Sequence, residues 1–139
     1  MLRLFLSALL LSLCTYALAQ GGASPEQLSQ AYATALRNQN QKAFLDLFAL
    51  STKQDRAVAE QQFATQSKMR IESVKIVPFA VHEQRYRKAM ARLGRSDATP
   101  PEAWAEIAFS PVKQSDGSVQ QETSLLSIVR RDGRYFVSW

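Results

Sequence analysis

Side chains able to do acid–base, nucleophilic or metal chemistry are few in this chain, and their spacing builds no familiar catalytic motif. His82 is the sole histidine, so no histidine pair can hold a metal, and its place beside a run of bases predicts a surface position. Cys14 is the sole cysteine and lies in an apolar leader, so the chain beyond the leader has no thiol nucleophile, thiolate metal site or disulfide. No GxSxG turn is present to expose a serine. Asp46, beside Leu47 and Phe48, is expected on the solvated face of a short helix. No metal site, cofactor or catalytic residue is therefore assigned.

The charge distribution is more informative. Formal net charge is +5, with 17 bases against 12 acids. Arg3 leaves with the leader, and the remaining excess sits in one stretch: from His82 to Arg95, the bases Arg85, Arg87, Lys88, Arg92 and Arg95 face Glu83 alone. Read as a helix, this stretch gathers Tyr86, Ala89, Met90 and Leu93 in one apolar arc and Arg85, Lys88, Arg92 and Arg95 on the far side. Co-aligned cations of this kind suit an anionic lipid surface, an acidic partner or an anionic envelope polymer. Nucleic acid is not an expected partner, because no aromatics are interleaved for base stacking.

The elements that must position these groups follow from composition and periodicity. The apolar share of 46% with 21% charged residues is that of an ordinary globular chain, which excludes collagen-like and disordered classes. Residues 1–19 read as a secretory signal, with Arg3 at the start, an apolar run from Leu4, and a small-residue exit at Ala17 and Ala19. A periplasmic or secreted domain spanning 20–139 is the expectation. Ser24, Pro25 and Gln27 signal a helix start, and Leu28, Ala31, Tyr32, Ala35 and Leu36 supply its buried stripe. Asn40 is placed to cap a second helix carrying Phe44, Leu47 and Phe48. Ser51 to Asp55 reads as a loop, and Arg56 to Ser67 as a third helix with Val58, Ala59 and Phe63 inward and its glutamines facing water.

Strand chemistry begins at Met69 to Phe79, rich in Ile and Val. After Pro100 and Pro101, Trp104 to Val112 alternates, with Ala105, Ile107 and Phe109 on one face and Trp104, Glu106 and Ala108 on the other. Asp116 and Gly117 mark one hairpin turn. Val119 to Arg131 reads as one long strand, and Asp132 and Gly133 turn it into a last strand that puts Tyr135, Val137 and Trp139 on a common inner face. Helices followed by an antiparallel meander make an α+β fold.

The helix reading AYATALRNQNQKAFLDLF, the strand IESVKIVPF and the terminal hairpin LLSIVRRDGRYFVSW together resemble the small secreted members of the nuclear transport factor 2-like (NTF2-like, cystatin-like) superfamily. The resemblance implies a cone in which a curved antiparallel sheet wraps around the N-terminal helices, with residues 82–101 as a basic helical insertion, and dimerisation through the open sheet face. It also brings in ketosteroid isomerase chemistry, where a first-helix tyrosine stabilises an oxyanion while a carboxylate removes a proton. Tyr32 matches that tyrosine, but ALSTKQD stands where the base is expected, leaving only Asp55 nearby and out of register, and a second acid only if Glu106 or Glu122 turns inward. Resemblance and periodicity together make Tyr32, Phe48, Tyr135 and Trp139 the expected walls of an apolar pocket. The leading expectation is a non-enzymatic module for an apolar small ligand or a protein partner, with Arg85, Lys88, Arg92 and Arg95 as a second contact surface. The alternatives are a cofactor-independent isomerase or dehydratase, and a binder of anionic envelope surfaces.

Overall fold

Ser24 has its backbone extended and its hydroxyl accepting from the Gln27 amide at 3.1 Å, which starts the first helix, α1 (Pro25–Arg37). The computed structural model describes residues 21–138; the leader, with Cys14 and the exit at Ala19, and Trp139 lie outside them. Asn40 caps the short α2 (Gln41–Leu45), its side chain accepting from the Ala43 amide. Next comes α3 (Lys53–Gln66), which begins inside the segment expected to be a loop. The polar residues there are a cap: the Thr52 hydroxyl accepts from the Asp55 amide, and the Asp55 carboxylate accepts from the amides of Ser51 and Thr52.

The chain then runs through β1 (Ile71–Pro78), α4 (Phe79–Arg92), β2 (Ala103–Phe109), β3 (Val112–Lys113), β4 (Val119–Gln120), β5 (Thr123–Arg131) and β6 (Arg134–Ser138). The fold is α+β: four helices among the described residues, and an antiparallel sheet in the order β1-β2-β5-β6. The strand expected to run unbroken from Val119 is interrupted at Gln121 and Glu122, so β3 and β4 form a separate small hairpin that leaves Val112 and Val119 exposed. Asp132 and Gly133 both have positive φ, 49° and 76°, the paired left-handed geometry of a two-residue hairpin turn.

Strand alternation divides the sheet into two unlike faces. Ala105, Ile107 and Phe109 of β2, Leu126 and Ile128 of β5, and Val137 of β6 join Leu28, Tyr32, Leu36, Phe44, Phe48 and Ala59 in one buried cluster beneath α1–α3. Phe63 packs against it as expected, but Val58 is 44% exposed and Gln66 is buried, so the inward stripe of α3 is Ala59, Phe63 and Gln66. The opposite face carries Val77, Trp104 and Glu106, and there α4 lies. This helix leaves β1 directly at Pro78, starting before the expected insertion.

Candidate functional site

Tyr32, the tyrosine singled out by the isomerase resemblance, has no surface accessible to water. Its ring tilts against Phe44 and Phe48, at centroid distances of 4.8 and 6.2 Å, and Phe44 continues the cluster to Phe63. Its hydroxyl donates to Gln66 Oε1 and accepts from Gln62 Nε2 at 2.7 Å, while Gln66 Nε2 donates to Ser124 Oγ at 3.2 Å. Burial drives the hydroxyl pKa well above its ordinary value, against the smaller opposing effect of the two glutamines, so the phenol stays protonated. A tyrosine with both hydrogen-bonding roles filled by amides is a core polar knot. Glu106 projects from the opposite sheet face and Glu122 is exposed beyond β4, so neither turns toward it.

Of the four residues expected to wall one pocket, Trp139 lies outside the described residues. Tyr32 and Phe48 are core, and Tyr135 packs at the core edge with the Arg130 guanidinium 5.7 Å from its ring centroid. Phe48 also borders a cleft of about 550 Å³ between α2 and α3. The charges on that cleft pair with one another, Lys42 with Asp46 at 3.0 Å and Arg56 with Glu60 at 3.1 Å.

Concavity with unsatisfied charge lies on the other side of the sheet. Helix α4 buries none of its own residues fully; it rests on Trp104, itself 6% exposed, through Phe79, His82 and Tyr86. Phe79 stacks on the indole at 6.1 Å and 17°, its carbonyl accepting from Trp104 Nε1 at 3.1 Å, and Tyr86 meets the ring at 6.0 Å. His82 Nε2 donates to Glu106 Oε1 at 2.7 Å, which fixes the ring at the rim of the cleft beside Trp104. His82 is thus half-buried rather than a surface residue, and Glu106 is its only hydrogen-bond partner among the described residues. No group of three metal-ligating side chains occurs among them either.

Between α4 and the uncovered part of β5 run two adjoining clefts. The first, about 310 Å³, has Tyr86, Met90, Trp104, Leu125 and Leu126 as apolar wall, and His82, Arg85 and Gln62 at its rim. The second, about 460 Å³, continues past Val129 to Arg95, Glu102, Arg130 and Arg131. They share Tyr86, Met90, Ser127 and Ser138 and so form one groove.

The basic residues named from the sequence divide around this groove. Arg85 lines both the groove and the outer hollow of α4, Lys88 and Arg92 line only that outer hollow, and Arg95 joins the far end of the groove from the loop after the helix. Among the described residues none of the four is in an ion pair, whereas Arg87 is held by Glu83 at 2.6 Å. Of the expected apolar arc, Tyr86, Ala89 and Met90 do line the groove. Ala89 lines it from an exposed position and Leu93 is 64% exposed, because the helix meets the sheet only along Phe79, His82 and Tyr86 and Leu93 lies past its end.

Sequence reasoning missed two participants and one pairing. Gln62 and Gln66 were detectable as an i, i+4 pair flanking Phe63 on one helical face. The pairing of His82 with Glu106 needed the side of the sheet on which α4 falls. No family model matches this chain, and no curated protein or solved structure matches it.

Proposed function

We propose that this chain is an extracytoplasmic binding module of the NTF2-like kind, that its ligand has an apolar body, and that the ligand lies in the groove between α4 and β5. The observation that carries this reading is the contrast between the two sides of the sheet. Around Tyr32 the space is filled and its hydroxyl is matched, while beneath and beside α4 an apolar concavity is rimmed by arginines that have no carboxylate partner among the described residues. Small-molecule sites have this character: a mostly apolar hollow of some hundreds of Å³ with a few oriented polar groups. The helices-on-sheet arrangement is compatible with the NTF2-like resemblance. The signal-like leader supports a site of action outside the cytoplasm.

A titration of the isotope-labelled chain with decanoate, read by heteronuclear NMR, tests the placement. Shifts centred on the Trp104 indole, Tyr86, Met90 and Leu125 are expected. Shifts centred on Tyr32, Phe44 and Phe48 would move the site into the helix-packed core, and an unchanged spectrum at millimolar ligand would defeat the reading.

A second reading, docking on anionic envelope surfaces, is favoured by one observation: Arg85, Lys88 and Arg92 border a single hollow on the side of α4 turned away from the sheet, and among the described residues none of the three has an ion-pair partner. Salt-sensitive binding to anionic vesicles, lost when all three become Gln, is its signature.

A further inference from the structure

We infer that the groove selects a free, single-chain amphiphile with an acidic head, a carboxylate or phosphate monoester, and that Arg95 and Arg131 hold that head. This rests on the groove reading above and adds the chemistry and orientation of the ligand.

The two ends of the groove differ in a way that orients an amphiphile. At the Trp104 end the wall is mainly aromatic and aliphatic, a single arginine, Arg85, stands at its rim, and His82 and Glu106 are engaged with each other. At the other end Arg95 comes from the loop after α4 and Arg131 from the end of β5, with Glu102 as the only acid among the described residues lining the same hollow. Neither arginine has an ion-pair partner among the described residues. Arg130, next to them, lies by the Tyr135 ring. Guanidinium groups brought from two separate elements to one hollow suit the planar, multidentate recognition of carboxylate or phosphate oxygens.

Alternation along β5 connects the ends. Leu125, Ser127, Val129 and Arg131 share the face turned toward the groove, and at ~3.3 Å per residue they span roughly 20 Å. A ligand running this course lays its tail over Val129, Met90, Tyr86 and Leu125 and ends it beside Trp104. The hollow beside Trp104, about 310 Å³, is at the small end of ligand sites, which suits the end of a single chain.

Calorimetric titration of the purified chain with octanoate, decanoate and dodecanoate below their micellar concentrations, with 1-decanol as the uncharged control, tests the assignment. Affinity should rise about fourfold per methylene while the tail is being covered. Decanoate should bind at least tenfold tighter than decanol, and R95Q/R131Q should bring decanoate down to the level of decanol while leaving decanol unchanged. Equal affinity for decanoate and decanol would refute the acidic head while leaving the groove reading intact. Absence of binding by both would refute the two together. Vesicles of anionic phospholipid form the remaining arm: if they compete for decanoate, and R85Q/K88Q/R92Q abolishes both interactions while R95Q/R131Q abolishes neither, the ligand is a membrane surface and the inference is overturned.

Discussion

Replacing Tyr32 by Phe separates a structural tyrosine from a chemical one. The ring contacts with Phe44 and Phe48 survive, so no cavity opens, and what is lost is a hydroxyl that donates to Gln66 and accepts from Gln62. Two hydrogen bonds at ~1 kcal/mol each, plus part of the penalty for leaving buried amide groups without partners, give a destabilisation of about 2–3 kcal/mol. With a urea m-value of ~2 kcal/mol/M, the unfolding midpoint should fall by about 1 M. There is also a pH signature. Because the native hydroxyl has a raised pKa, the unfolded chain gives up that proton first as pH rises, and stability falls. This contribution is complete below about pH 10 and declines above it at up to ~1.4 kcal/mol per pH unit. The wild type minus Y32F difference in urea midpoint should therefore be flat below pH 9 and shrink above pH 10. A loss under ~0.5 kcal/mol with no alkaline difference would show that the Tyr32–Gln62–Gln66 knot does not stabilise the core as reasoned.

Trp104→Ala removes the platform on which Phe79, His82 and Tyr86 rest, so amide exchange protection should collapse across Phe79–Arg92 while β2 and β5 retain theirs; uniform loss would mean that α4 and the sheet unfold as one unit. Thr52→Ala breaks the reciprocal cap of α3 and should cost about 1 kcal/mol in urea unfolding. Backbone donors from Ser51, then Thr52, hold the Asp55 carboxyl below its ordinary pKa, so the cap is complete above about pH 4 and weakens as pH falls below it; D55N, which removes the titrating group, should lose less stability than wild type over that acid range, and equal losses would contradict this. Gly133→Ala meets no neighbouring atom but forces a left-handed backbone at φ 76°, with an expected cost of ~1 kcal/mol that thermal unfolding would register.

Helix starts, the inner face of β2 and the Asp132–Gly133 turn were legible because each depends on neighbours within a few residues. Ser24 and Asn40 cap as their types dictate, and Ala105, Ile107 and Phe109 are buried together as alternation requires. What was not legible depends on which side of the sheet a segment falls. The expected pocket placed Tyr32 at the mouth of a hollow, but two glutamines thirty residues later fill the space around its hydroxyl. Their polarity made them read as solvent-facing, and only tertiary pairing turns such a residue inward. The basic helix was visible as amphipathic, yet its apolar side proved shallower than its sequence arc, because α4 leans on one indole and is not sunk into a core. Arg131 carried no sequence signal for the groove, since α4 and β5, which meet there, are separated in sequence by a proline-bearing loop, β2 and the β3–β4 hairpin, whose course periodicity does not report.

The glycines ahead of α1 bear on how the sheet avoids its own kind. Gly22 and Tyr135 exchange backbone hydrogen bonds, each 2.8 Å, and Phe48 bridges Val137, so the outer margin of β6 is occupied by the chain itself. A Cβ at Gly21 would stand 2.4 Å from the Tyr135 carbonyl, and one at Gly22 would stand 2.7 Å from the Leu28 amide, so only glycine lets the strap lie this close. At the other margin β1 has a register break between Ile71 and Ser73, the charge of Lys75, and a final proline without an N–H. Unpaired strand edges template aggregation, and these are the devices that blunt them. Substituting Gly21 or Gly22 would reopen a templating edge on an otherwise intact fold, and the first symptom would be self-association rather than a lost ligand.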